Sequence, residues 1–487
     1  MTRHTCRCLL AVAILFVLTR TGDSTSITAL TPDQTASIDR YVKTEMKREQ
    51  IPGLALGVYN RGRIVLAKGY GLANVELDVA VKPETIFQSG SVGKQFVSAA
   101  VMMLVGEGRV GLEDSIVKYF PNAPASWQPI RVKNLLSHTS GLAEYESEDR
   151  TGLKGPFYLR LDFTEDELVD KIEALPIEFQ PGEKWAYRNT NYVLLGVMIH
   201  KVTGKFYADY LQERIFRPLG MTATRLISES DIIPNRASGY ELHGGVLKNQ
   251  GWVSPTFNST ADGALYFNVV DLAKWDGALY GTSLLKESSL DRIWTVFPLN
   301  NGKPNPANYG FGWEINRING HKVIEHGGEW QGFTCEIARY VDDGLTVVAL
   351  TNLSAAHPGV VVHIVAGLID PELAQPRLAP IEDTQPTLSK RLRTLAGEIV
   401  SGKNVSDEFT PELAAYVTPE TSSDIAAALR PVWPPESLTL VSRKEEDGGL
   451  ISRYRAAKGA ETRILAFGLG EDGKVAAFDV EPDPDVR

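Results

Sequence analysis

Ser91-Val92-Gly93-Lys94 sets a hydroxyl and an amine three residues apart, where the polar stretch Phe87-Gln88-Ser89-Gly90 runs into the apolar residues 97–105. The apolar spacing predicts a buried helix with Ser91 at its start and Lys94 one turn further in. Positions i and i+3 of a helix share one face and meet side by side. A lysine held there, partly desolvated, can lose its proton near neutral pH and take the proton of the Ser91 hydroxyl. The helix N-terminus favours the negative charge that then develops on an attacked carbonyl. Alone, the same spacing also describes an N-cap serine followed by a surface lysine.

Two further stretches supply matching chemistry. Pro181-Gly182 turns the chain ahead of Tyr187-Arg188-Asn189, which precedes the apolar side of a helix over residues 193–199. Two residues apart in a loop or extended segment, Tyr187 and Asn189 can face one cleft. A phenol beside Ser91 and Lys94 can pass a proton between nucleophile and leaving group. Asn189 can donate its amide to a substrate and accept from Lys94. The structural alternative is a tyrosine on a domain seam and an asparagine capping a helix.

The other stretch is His326-Gly327-Gly328-Glu329, read as lying between two strands. Its glycines let backbone approach a ligand where a Cβ would collide, and the Glu329 N–H can join that of Ser91 as an oxyanion hole, with His326 on the opposite wall. The alternative is a glycine turn with a surface histidine. His138, in Ser137-His138-Thr139-Ser140-Gly141-Leu142, has no second histidine or carboxylate at metal-site spacing and reads as a structural part of a tight turn. No metal and no cofactor are expected, and no Gly-rich phosphate loop is found.

Taken together, Ser91-Val92-Gly93-Lys94, Tyr187-Arg188-Asn189 and His326-Gly327-Gly328 resemble the three active-site motifs of the serine beta-lactamase and penicillin-binding-protein superfamily. The likeness is to its class C-like branch of beta-lactamase-related serine hydrolases, esterases, D-aminopeptidases and DD-carboxypeptidases. Leu135-Leu136-Ser137-His138-Thr139-Ser140-Gly141-Leu142 and Asp262-Gly263-Ala264-Leu265 are also similar to that branch, and the resemblance covers roughly residues 30–370. It implies an α+β, transpeptidase-like fold: an antiparallel sheet flanked by helices, an inserted helical domain, and the serine between them. It further implies acyl transfer through a covalent acyl-enzyme, with Ser91 as nucleophile, Lys94 and Tyr187 as the proton-handling pair, and Asn189 orienting the substrate.

The third motif departs from the lactamase pattern, which has Lys-Thr-Gly where this chain has His326-Gly327-Gly328. Lysine offers a fixed positive charge to a substrate carboxylate; a neutral histidine does not. A small ester or a D-amino-acid peptide is therefore the expected substrate. A class C-like beta-lactamase and a non-catalytic penicillin-binding or sensor protein remain as alternatives.

The elements that must hold these residues follow from pattern. Residues 32–48 read as a helix, 54–59 and 64–70 as a hairpin, 112–119 and 132–136 as short helical pieces, and 206–216 and 269–279 as helices. Residues 229–257 are loop-rich and read as cleft wall. Residues 309–314, 322–325, 332–340 and 345–350 read as strands of an antiparallel sheet, with a helix over 361–369 packed on it. A Pro-rich linker, taken as 373–386, separates the hydrolase region 27–372 from a small α+β accessory domain over 387–487.

At 487 residues, two or three domains are expected. A hydrophobic fraction of 43% against 23% charged residues suits a large apolar core, and a net charge of -10 without any basic tract argues against a nucleic-acid partner. Residues 1–26 place Arg3, His4 and Arg7 before a short apolar run, the pattern of an export signal, so a periplasmic or secreted protein is expected, with membrane association only if that segment is uncleaved. Cys335 alone would remain after cleavage, as a buried filler. Oligomeric state has no signature in the sequence.

Overall fold

The computed structural model describes residues 28–145, 159–446, 449–470 and 472–485; the expected export signal lies outside them. Helix α1 (Pro32–Glu49) starts at a Thr31/Gln34 capping box and stops where Gln50 turns left-handed. The hairpin β1 (Gly53–Asn60) and β2 (Arg63–Asn74) follows, with the short β3 (Val79–Ala80) along its outer edge. Next come α2 (Lys94–Gly106), α3 (Asn189–Thr203) and α4 (Val269–Ala278), then β4 (Glu314–Ile318), β5 (His321–Trp330), β6 (Phe333–Tyr340), β7 (Leu345–Thr351) and α5 (Pro358–Ile369).

The seven strands form one antiparallel sheet in the order β3-β2-β1-β7-β6-β5-β4. Strand β1 is buried along its whole length because both of its faces are covered. Leu54, Leu56 and Val58 pack with Val347 and Ala349 against Ile38, Val42, Val361 and Val365 of α1 and α5. Ala55, Tyr59, Val348, Leu350 and Ile337 point the other way, into the core shared with α2, α3 and α4. This alternation follows from the two-residue period of a strand, and each aliphatic side chain so buried stabilises by about 1.5–3 kcal/mol. Loops and short helices between α2 and α3 fill out the helical layer, so that Ser91 lies where this layer meets the sheet.

Two expectations need correction. Residues 112–119 hold only a 3-10 turn, Ile116–Lys118, because the Asp114 carboxylate takes the Gly111 N–H at 2.8 Å, Lys118 at 2.7 Å and the Tyr119 hydroxyl at 2.6 Å. Such side-chain bonds compete with helix. The strand expected over 309–314 begins only at Glu314, since Gly310 N–H closes a turn on Trp313 O and Gly312 adopts φ +77° against α2.

Beyond α5, helices α6 (Pro386–Val400) and α7 (Pro419–Leu429) pack on a second antiparallel sheet of β8 (Ser437–Glu446), β9 (Gly449–Lys458), β10 (Glu461–Leu469) and β11 (Val475–Pro482). Leu392, Leu395, Ile399 and Leu429 meet Leu440, Tyr454, Leu465 and Phe467 in its core. Arg463, 6% exposed, donates to the Arg48 carbonyl at the end of α1. Asp424 of α7 accepts the Gly244 N–H, at the tip of a hairpin of strands Tyr240–His243 and Val246–Asn249. Among the described residues no helix is long and apolar enough to cross a membrane.

Candidate active site

Ser91 sits in a 3-10 turn, Gly90–Gly93, that feeds directly into α2, whose first residue is Lys94. A 3-10 turn eclipses residues i and i+3, so Lys94 stands over Ser91. The fully buried Lys94 Nζ donates to Ser91 Oγ at 2.8 Å, to Asn189 Oδ1 at 2.8 Å and to the Asp262 carbonyl at 2.6 Å. The rings of Tyr187 and Tyr192 wall it in, their centroids 4.9 and 5.6 Å from Nζ.

The nucleophile turn is anchored from below. Ser89 Oγ donates to Gly263 O at 2.8 Å and accepts the Leu265 N–H at 3.2 Å, while Cys335 Sγ donates to Ser89 O at 2.9 Å. Burial pushes the Cys335 thiol well above its ordinary pKa, in keeping with a filler. His326-Gly327-Gly328-Glu329 is not a turn between strands: it lies inside the ten-residue β5. Its glycine serves backbone-to-backbone approach, where a ligand contact was expected. A Cβ on Gly328 would lie 2.2 Å from Ser89 O and 2.9 Å from Ser91 N, and one on Gly90, at φ +45°, would lie 2.3 Å from Glu329 N. These two glycines bring the Glu329 peptide nitrogen against the turn that carries Ser91.

Tyr187 lies in the extended segment before α3 and is half-buried, its hydroxyl fully so. That hydroxyl is turned towards Ser91. Burial pushes its pKa well above the ordinary phenol value, against a smaller opposite pull from Ser91. A phenol in that state has a proton to give and is not a standing base. Asn189 is the first residue of α3, with Arg188 extended before it. Glu144 fixes this corner by accepting the Asn189 N–H at 2.6 Å, a carboxylate at a helix N-terminus.

His326 is 3% exposed, and both of its ring nitrogens are engaged within the protein. Nδ1–H donates to Gly327 O at 2.6 Å, which leaves Nε2 to accept the Tyr309 O–H at 2.9 Å. Burial first, and the Lys94 charge second, push its pKa down to about 4, so the ring is neutral. His138 is also fully buried, beneath Tyr187, with ring centroids 4.2 Å apart.

The structure therefore brings Ser91, Lys94, Tyr187, Asn189 and the Glu329 peptide together, with His326 in the adjoining wall. Sequence reasoning missed Glu144, Tyr309 and Tyr192 altogether, and it noted Asp262 only as part of a similar stretch. The Asp262 contribution is a backbone carbonyl, which residue type does not reveal, and its side chain accepts the Tyr145 hydroxyl at 2.9 Å. Among the described residues no group of three or more His, Cys, Asp or Glu side chains is placed to hold a metal ion.

Residues 38–367 match the family model described as Beta-lactamase. The chain is 30% identical over 324 residues to Penicillin-binding protein 4* of Bacillus subtilis (strain 168), which covers 63% of this chain and 69% of that protein. It is similar in structure to a D-stereospecific amidohydrolase from Streptomyces sp., with a TM-score of 0.58 and 26% identity over 69% of this chain and 98% of that one. The octameric penicillin-binding protein homologue from Pyrococcus abyssi shares the fold over 91% of this chain and 94% of its own, with a TM-score of 0.61 at 24% identity.

Proposed function

We propose that Ser91 is the nucleophile of this chain, which belongs to the beta-lactamase family and is a serine hydrolase acting through an acyl-enzyme on small esters or amides. The observation that carries the assignment is Lys94 Nζ bridging Ser91 Oγ and Asn189 Oδ1 at 2.8 Å each. When Lys94 has shed one proton and turns its lone pair towards Ser91, Nζ accepts the Ser91 proton as Oγ bonds to the substrate carbonyl carbon. The carbonyl electron pair moves to an oxygen held by the Ser91 and Glu329 N–H groups. The bond to the leaving group then breaks, and Tyr187 hands that group its proton. Water repeats the sequence in reverse roles and frees the acid. Asn189 steadies Lys94 and offers its amide to the substrate.

The substrate we favour carries no carboxylate where a lactamase would bind one, because the third-motif residue is a neutral histidine whose nitrogens are engaged. A D-aminoacyl amide or ester fits this, and the likeness to a D-stereospecific amidohydrolase supports it. The same feature weakens a class C-like beta-lactamase, and intact Ser91, Lys94 and Tyr187 weaken a non-catalytic sensor. The apolar run within residues 1–26 supports export to the periplasm or beyond, and the packed core of residues 387–487 supports a separate accessory domain behind a linker over 373–386.

Incubation with a fluorophosphonate and with a labelled penicillin, followed by peptide mapping, tests the nucleophile. Adduct on Ser91, absent in S91A, is the expected result. Adduct elsewhere, or an S91A variant keeping more than about a hundredth of the wild-type ester hydrolysis, overturns it.

A further inference from the structure

We propose that His138 is the positioning residue of the catalytic segment: its Nδ1 lone pair holds the Arg188 N–H and the Asn191 amide, and its ring carries Tyr187 towards Ser91. The inference rests on the function proposed above and assigns a task that turn chemistry alone does not require.

The backbone gives the first reason. His138 adopts φ +56°, a left-handed conformation that residues other than glycine take infrequently, though His, Asn and Asp do so more often than most. Strain of this kind persists only where the surroundings over-determine the residue. Here they do. The His138 carbonyl accepts the Ala186 N–H at 3.0 Å and Thr139 O accepts the Gly182 N–H at 2.7 Å, so the turn forms a rail along the segment leading to Tyr187.

The side chain gives the second. Arg188 N–H donates to His138 Nδ1 at 3.2 Å. Asn191 Nδ2 lies 3.1 Å from the same atom, and because Ser140 Oγ donates to Asn191 Oδ1 at 2.6 Å, the amide end facing His138 is the donor. Two donors on Nδ1 place the ring proton on Nε2, a neutral tautomer. Burial first, and the Lys94 charge second, push the His138 pKa well below the ordinary value, which keeps the ring neutral through the working range. Arg188 adds its own charge nearby, but its guanidinium pairs with Glu178 at 2.7 Å.

Arg188 is the residue between Tyr187 and Asn189, so a single hydrogen bond to its N–H sets the peptide from which both functional side chains spring. The ring meets Tyr187 at 32°, a tilted stack, and stands edge-on to Tyr309, whose hydroxyl holds His326. A misplacement of about 1 Å at such a segment is enough to cost on the order of 100-fold in rate.

Three variants and two controls test this on the full chain with an activated ester: H138G, H138N, the double variant H138N/Y187F, and S91A and Y187F alone. Glycine keeps the φ but removes the acceptor; asparagine keeps the φ and an acceptor oxygen near the Nδ1 position while removing the ring. We expect kcat of H138G to fall by about 10–100-fold with KM within about twofold, and H138N to recover at least tenfold relative to H138G. We further expect any loss in H138N to vanish in the Y187F background. A folded H138G within threefold of wild-type kcat, or H138N no better than a folded H138G, overturns the proposal. If H138G does not fold, the cycle decides: losses in H138N and Y187F that simply multiply overturn it, and a non-additive pair supports it. Retained activity in S91A would instead overturn the function on which the inference rests.

Discussion

Gly328 and Ser89 approach so closely that a Cβ on Gly328 would lie 2.2 Å from the Ser89 carbonyl oxygen, backbone against backbone with no flexible atom to move aside. The neighbouring Gly327 is different: its Cβ would crowd the far end of the Glu336 side chain, at 2.9 Å, and meet backbone no closer than Cys335 O at 3.8 Å. G328A must push β5 away from the nucleophile turn and with it the Glu329 N–H. Loss of one oxyanion donor costs about 100–1000-fold, so the Ser91 acylation rate should fall at least 100-fold in G328A and stay within about fivefold in G327A. Stopped-flow burst kinetics measure both. Equal damage from the two would show that strand spacing is not what the glycines protect.

Because Nδ1–H of His326 is spent on Gly327 O and Nε2 accepts from Tyr309, with the pKa near 4, His326 brings no charge to the cleft. For a matched pair of esters with and without a carboxylate, the kcat/KM ratio should be flat from about pH 5.5 to 8.5, and H326K should shift it towards the anionic ester. A wild-type preference for the anionic ester above about tenfold at neutral pH, lost in H326A, would sink this reading.

The residues legible in the sequence are those whose geometry is local. Ser91 and Lys94 are three apart on one turn, and Tyr187 and Asn189 two apart before a helix, so spacing alone places each pair. His326 to Glu329 was legible as a motif but not as a strand, since glycines carry no alternating pattern. Tyr309 stands in a stretch of strand-like composition that carries no sign of a functional role, because its task depends on a histidine 17 residues away. The Asp262 carbonyl and the Glu144 carboxylate act through contacts 168 and 45 residues distant in sequence, which no local pattern encodes. The pairing of β1 with β7, across nearly the whole hydrolase region, was hidden for the same reason.

Deleting residues 381–487 should leave Ser91 labelling within about tenfold of wild type, because Ser91, Asn189 and Asp262, whose oxygens accept from Lys94 Nζ, all lie before that point. The deletion does uncover the end of α1 and frees Gly244 from Asp424. Thermal stability should therefore drop even where chemistry survives. Labelling of a folded, monodisperse truncation by fluorophosphonate checks this; no adduct on Ser91 would mean that the accessory domain completes the cleft.

On the back of β5, Glu314 pairs in register with Glu325, while Glu336 lies opposite Gly327. Burial first and the Glu325 charge second raise the Glu314 pKa to about 7, against opposite pulls from Asn316 and His363. Glu336 is pushed well above its ordinary value by burial and by the same two glutamates, whereas for Glu325 burial is outweighed by His363, which sits 3.1 Å away and holds it low. The native state thus keeps the Glu314 proton up to about pH 7, while the unfolded chain releases it near the ordinary value of 4.5. The stability tied to that proton is fully present below pH 4.5 and is lost as pH rises through 7. E314Q cannot ionise and escapes the loss. Between pH 5 and pH 8 it should gain on wild type by on the order of 2 kcal/mol, read from urea midpoints at each pH. Parallel pH curves for the two proteins would mean that Glu314 is already ionised in the native state at pH 5.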